Sequence, residues 1–316
     1  MTISNLYKQA TKSLQETFSV LKEVDVLFAE EVEVLYKILE QTPKNAIKTM
    51  IQGPLPKLHR EEVIILVGDF LDYVNREYAT KFYNDLYDNK IVFGKFKEGS
   101  FYGTTNGSTE KKVYVDETHT IDDAISLLHE FFHSLNENDY VYRQSFTDSV
   151  SITAELLFLE YLKDRGYPEY DIALSSNRRN NIFLSNTDYL RKLLPLFIEI
   201  SQGNPITAKT YKKYSHNYSG KKEFDEILKN EIEEHDSSIE RALMYRHSIG
   251  YIAASTFHQL NQDKIDLIVA NETLKSGVIT TFNIILGNGI FESNAPYYTT
   301  KELTHFNPKV YQKKQD

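Results

Sequence analysis

Apolar side chains recur at three- and four-residue spacing from Leu6 through Leu14, Phe18, Leu21, Val26, Phe28, Val32 and Leu35 to Leu39, with Glu and Lys between them. That period turns one helix face towards a core, so residues 3–42 are predicted to form one or two amphipathic helices. Gly53-Pro54-Leu55-Pro56 then punctuates the chain before a second helical stretch over 60–89. Between 90 and 117 the pattern changes. Ile91-Val92-Phe93-Gly94, Ser100-Phe101-Tyr102-Gly103 and Lys112-Val113-Tyr114-Val115-Asp116 are predicted as short strands around the turn residues 104–108.

The helical period returns at 120–136, with Thr120 as the expected N-cap and Asp123 at the capping-box position. A further helix is expected over 147–165, closed by Gly166-Tyr167-Pro168, and another over 180–202, ending at Gln202-Gly203-Asn204-Pro205. Residues 206–222 are polar and basic and are predicted to be a surface loop. Helices are expected again over 223–233, 238–262, 264–275 and 279–287, followed by an irregular tail from 292. No internal repeat or long linker divides the chain. The pattern predicts a mainly α protein with one small β element: an N-terminal helical segment (1–90) packing on a catalytic unit (91–291), then the tail (292–316).

Composition narrows the chemistry. The 316 residues include no cysteine, which excludes disulfides, thiol catalysis and cysteine-ligated metals. A net charge of −9 disfavours nucleic acid and anionic membrane as partners. No apolar run is long enough to span a bilayer and no signal-peptide core is visible, so the expected compartment is the cytoplasm. Nothing in the pattern sets an oligomeric state.

Within the 120–136 segment stands His129-Glu130-Phe131-Phe132-His133, an H-E-x-x-H run. Residues four apart lie one above the other on a helix, so the two imidazoles can grip one zinc ion while Glu130 faces a water bound to it. Such a helix belongs to a zincin-like catalytic domain with one Zn2+ per chain, in which Glu130 is the general base. A third ligand is expected from the next helix, where Asp148 and Glu155 stand seven apart and so on roughly one face. Either can bind the metal, and the other is a natural partner for a ligand histidine. His59, His119, His216, His258 and His305 lack metal-type spacing. The 209–222 stretch, with Tyr211, Tyr214 and Tyr218 among its lysines, is read as a solvated loop rather than a nucleic-acid contact.

The order of motifs resembles the thimet oligopeptidase and oligoendopeptidase F family of zinc peptidases. Lys112-Val113-Tyr114-Val115-Asp116 with residues 120–128 is similar to that family's entry into the zinc motif, and residues 148–162 to its third-ligand helix. Tyr245-Arg246-His247-Ser248-Ile249-Gly250-Tyr251 resembles an aromatic segment facing the metal, and Leu274-Lys275-Ser276-Gly277 a C-terminal signature. The resemblance implies zinc on His129 and His133, the ligand carboxylate at Asp148 (narrowly preferred to Glu155), and oxyanion stabilisation by His235, Tyr245 or His247. It implies peptide-bond hydrolysis in oligopeptides. The substrate is expected to bind in extended form, pairing its backbone with the strand near 112–116. It also marks departures: Asp148 for a glutamate, Phe132 for a glycine, His247 near a tyrosine position, and a shorter chain that would leave the cleft more open. Phe132, Asp148 and His247 lend weight to a second reading, a non-enzymatic binding or regulatory descendant; a third is a protease selective for one protein.

Overall fold

The N-terminal helical period is realised as Ile3–Glu23 (α1) and Ala29–Gln41 (α2). The structure is a computed structural model that describes residues 2–24, 27–41, 57–105, 108–135, 148–167, 178–233, 245–246, 248–250 and 254. The Thr2 side chain caps α1 by accepting from the Asn5 N–H, and the helix buries Leu6, Ala10, Leu14, Phe18 and Leu21 along one stripe. The 60–89 stretch becomes two helices, Arg60–Val74 (α3) and Arg76–Tyr87 (α4). Asn75 divides them: its extended backbone ends α3, and its side chain accepts from the Glu77 N–H to start α4.

Three strands follow at the predicted places, Ile91–Gly94 (β1), Phe101–Gly103 (β2) and Lys112–Asp116 (β3). Their order is β1-β3-β2, with β3 parallel to β1 (Ile91 opposite Val113) and antiparallel to β2 (Phe101 opposite Tyr114). Since β3 is central, with the Asp116 N–H further closed off by the Ser100 hydroxyl, no substrate strand can add along it. That corrects the expected pairing of a peptide with residues 112–116; the sheet offers its edges at β1 and β2 instead.

Ile121–Leu135 (α5) carries the H-E-x-x-H run and packs on β3, β2 and α3. Its start is pinned by Asp123, whose carboxylate accepts from the N–H groups of Thr118 and His119, two and one residues before the Thr120 N–H that a capping box would reach. Ser149–Asp164 (α6) packs along α5, and Arg178–Ser201 (α7) lies against α1 and α2. Lys221–Glu233 (α9) closes on α1, where the Ser13 hydroxyl donates to the Glu231 carbonyl. Leu14 and Phe18 of α1, Phe70 of α3, Phe131 of α5, Phe158 of α6 and Phe197 of α7 share one core.

The expected loop at 206–222 is instead a short helix, Ala208–Lys213 (α8), and a 3-10 turn, Ser215–Asn217. Thr207 caps α8, and Tyr214 and Tyr218 are buried with their hydroxyls donating to Glu199 and the Lys192 carbonyl. A polar-looking segment is thus held by tyrosines whose rings enter the core while their hydroxyls stay paired. Among the described residues no helix is long and apolar enough to cross a membrane. Of the helix expected over 238–262, residues 245–246, 248–250 and 254 are described and are helical; the helices expected after it, the tail, and His235, His247, His258 and His305 lie outside the described residues.

Arg60 and Glu117 tie the start of α3 to the turn between β3 and α5 through two parallel bonds of 2.8 Å. These bonds hold the Glu117 carboxyl below its ordinary value, against the opposing effect of burial. A lowered carboxyl stabilises the fold above its unfolded value and loses that contribution as pH falls through the folded one. Glu117→Gln is therefore expected to cost about 1 kcal/mol at neutral pH, since Arg60 is half exposed. The difference from wild type should close below about pH 4, as measured by urea unfolding at stepped pH. A gap that persists in strong acid would contradict the pairing.

Candidate metal centre

One helical turn sets the first two donors. His129 and His133 of α5 have ring centroids 4.7 Å apart, and their Nε2 atoms approach to 3.0 Å. Two imidazole nitrogens this close repel unless a proton or a cation lies between their lone pairs. Asp148, at the N-cap of α6, brings Oδ1 to 3.3 Å from His133 Nε2. The ligand atoms of His129, His133 and Asp148 all lie within 4.8 Å of one another, a group that could hold a metal ion. Donors about 2.0–2.1 Å from one tetrahedral ion sit about 3.4 Å from each other, and the separations of 3.0 and 3.3 Å within this group lie near that value.

Glu155, two turns further along α6, takes the other side of His129, with Oε1 2.6 Å from Nδ1. The carboxylate fixes the tautomer: Nδ1–H donates to Glu155, and the Nε2 lone pair faces His133 and Asp148. Because α5 and α6 run antiparallel here, the earlier histidine meets the later carboxylate and the later histidine the earlier one. The two open assignments on α6 separate accordingly. Asp148 lies in the donor group, and Glu155 lies behind a donor.

Asp148 and Glu155 are each 1% exposed, a burial that carboxylates do not tolerate without nearby positive charge or donors. Burial alone would lower the His133 value, but the hydrogen bond and charge of Asp148, with the charge of Glu130, raise it above normal. Protons therefore compete with any metal for this imidazole, and a bound ion takes the place of that proton. Glu130 itself is buried on the next position of α5, between the donor face and the side of the helix that carries Ser134.

Arg246 escaped the sequence reading. Its Nε lies 3.3 Å from Asp148 Oδ2, so the guanidinium holds the oxygen opposite the one that faces His133. The signal was present, a basic residue inside the quoted aromatic segment, but its partner lies far away in the chain. Tyr245 is 1% exposed and its ring meets Phe197 of α7 edge-on at 6.2 Å. His235 and His247 lie outside the described residues. Phe132 is buried and packs edge-on against Tyr78 of α4 at 5.5 Å.

No family model and no curated protein matches the chain. Among solved structures it is similar to the crystal structure of a "putative peptidase from Chlamydophila abortus", at 16% identity and a TM-score of 0.49, over 99% of this chain and 55% of that one. The chain thus spans about half the length of that protein. Kinship with the oligoendopeptidase F family stays a resemblance of ordered motifs.

Two outcomes follow from the geometry. Glu155→Ala should weaken metal binding, read with zinc as the probe ion, by about 10- to 100-fold, with Gln intermediate because it still accepts from Nδ1–H. Arg246→Ala should weaken it by about tenfold, with Lys restoring part of the loss, because Asp148 is no longer held on its outer oxygen. Titration against a metal-buffered chelator reads both; wild-type affinity in either alanine variant would remove that residue from the centre.

Proposed function

We propose that this chain is a zinc-dependent endopeptidase that hydrolyses peptide bonds in oligopeptides. One observation carries the reading: His129, His133 and Asp148 converge as a donor group while Glu155 orients His129 from behind and Glu130 stands beside them on the same helix. Zinc suits two neutral imidazoles and one carboxylate, and three protein ligands leave a position open for chemistry. The ion would supply Lewis acidity, acidifying a water and polarising the scissile carbonyl.

The chain's own residues perform the remaining work. His129, His133 and Asp148 hold the ion; Glu155 and Arg246 fix the orientation of His129 and Asp148. Glu130 takes the proton of the attacking water on its carboxylate and delivers it to the departing amine. Stabilisation of the oxyanion falls to a donor from the segment around Tyr245, with His235 and His247 the other candidates carried by the resemblance. A peptide is the partner this chemistry requires. An acidic chain supports neither nucleic acid nor membrane in that place, and a cytoplasmic setting agrees with the absence of cysteine. A non-enzymatic descendant would have no use for a carboxylate kept at Glu130, beside the donor group on the same helix, so the catalytic reading is preferred.

Glu130→Gln is expected to lower turnover of a quenched-fluorescent peptide by about 10²- to 10⁴-fold while elemental analysis still finds one zinc per chain. Chelation should abolish activity and added zinc restore it. Undiminished cleavage by the Gln variant would reject the assignment of Glu130.

A further inference from the structure

Five large hydrophobic side chains stand exposed among the described residues, and four of them, Ile65, Tyr73, Tyr83 and Tyr87, belong to α3 and α4. An exposed apolar patch of this kind marks a surface that meets something. On α3, Glu61, Ile65, Asp69 and Asp72 recur at spacings of four, four and three, so they form one outward stripe. On α4, Thr80, Tyr83 and Tyr87 do the same. Both helices bury the opposite side: Val63, Val67 and Phe70 on α3, Ala79 and Phe82 on α4, with Phe82 against Phe131 of α5. The outward stripes therefore face away from α5.

The two stripes meet at Gly68. Tyr83 lays its hydroxyl on α3 there, so closely that a Cβ at position 68 would collide with it. Partial burial first, then the charges of Asp69 and Asp72, raise the Tyr83 phenol above its ordinary value, which puts both carboxylates beside this ring. Among the described residues neither aspartate has an ion pair, and no cation lies over Tyr83 or Tyr87. Helix stability does not explain the acids: Asp72 lies in the last turn of α3, where the helix end is itself negative and a base is favoured. Beside it the chain shows what such rings take. Arg165 lies 5.6 Å from the centroid of the Tyr73 ring and 5.5 Å from that of Tyr161. Tyr83 and Tyr87 offer the same kind of seat, with carboxylates next to it and Ile65 one turn from Asp69.

We propose that this outer face of α3 and α4 docks a basic amphipathic segment of another protein, one that presents lysine or arginine beside apolar side chains. Its cations meet Asp69, Asp72 and the Tyr83 ring, and its apolar side chains cover Ile65 and Tyr87. The net charge of −9 draws such a partner in from a distance. A second copy fits badly, because a two-fold contact sets Asp69 and Asp72 against their own equivalents. The inference does not depend on the peptidase reading, since the face lies behind α5.

The test uses the full chain in the Glu130→Gln background, so that cleavage cannot intervene, and labelled helical peptides read by fluorescence anisotropy. One peptide is a Lys/Leu amphipathic helix, one its Glu/Leu counterpart, and one a Lys/Ser counterpart with no apolar face. The Lys/Leu peptide is expected to bind about tenfold more tightly than either counterpart at low salt, with the advantage shrinking as salt rises. Asp69→Asn/Asp72→Asn should lower its affinity about five- to tenfold and flatten the salt dependence. Tyr87→Ala, at a side chain 87% exposed, should lower it about threefold with the salt dependence kept; Ile65→Ser repeats the apolar arm. Glu98→Gln/Glu233→Gln removes the same charge elsewhere on the surface and should leave affinity within about twofold. An equal loss in that control pair, or a Lys/Ser peptide that binds as tightly as Lys/Leu, reduces the effect to general acidity and overturns the proposal. So does binding that none of the face variants weakens, or no binding of the Lys/Leu peptide at all. Self-association in sedimentation velocity that Tyr87→Ala abolishes assigns the face to a second copy and overturns it as well.

Discussion

Burying carboxylate next to imidazole is the constraint on which this molecule turns. Asp148 and Glu155 are almost wholly removed from water, and each spends its charge on one histidine of α5, at 3.3 and 2.6 Å. Such an arrangement is costly unless the partners are held rigidly enough to repay desolvation at short range. Two antiparallel helices do this with little freedom to slide. A shift of either by one residue would turn its donors by about 100° and part both pairs together.

The frame around α5 explains how that register is kept. Phe131 meets Phe82 and Phe132 meets Tyr78, so α4 braces the back of the helix while β3 covers another side with Val113 and Val115. Asp123 locks the first turn to Thr118 and His119, and the Arg60–Glu117 pair fastens the preceding turn to α3. Aromatic contacts behind the donors therefore fix the position of the helix, and carboxylates on its front fix the rotation of the rings. The bulky residue at 132 belongs to the first of these. A glycine there would leave Tyr78 with a void.

Much of this was legible because it is one-dimensional. H-E-x-x-H is a spacing, and so is the pair Asp148 and Glu155, so a helical period places all four on facing stripes without knowledge of the fold. The strand positions were legible for the same reason, but their order was not: three strands of three to five residues carry no local mark of which one is central, and β3 proved to be enclosed. The 206–222 stretch misled because Tyr214 and Tyr218 look amphipathic in either setting. Only partners distant in the chain, Glu199 and the Lys192 carbonyl, decide that they are inside. Arg246 was hidden likewise, since a positive charge gains its meaning from the carboxylate it meets.

The exchange of glutamate for aspartate at 148, read from sequence as a weakness, becomes intelligible from its place in the helix. Asp148 is the N-cap of α6, where the helix dipole favours negative charge and where a short side chain projects from the end rather than the flank. At that position one oxygen reaches His133 while the other is taken by Arg246 from across the site. A glutamate would extend past this geometry, and an aspartate without the guanidinium could rotate away from it. The shorter arm and the distant arginine therefore form one device.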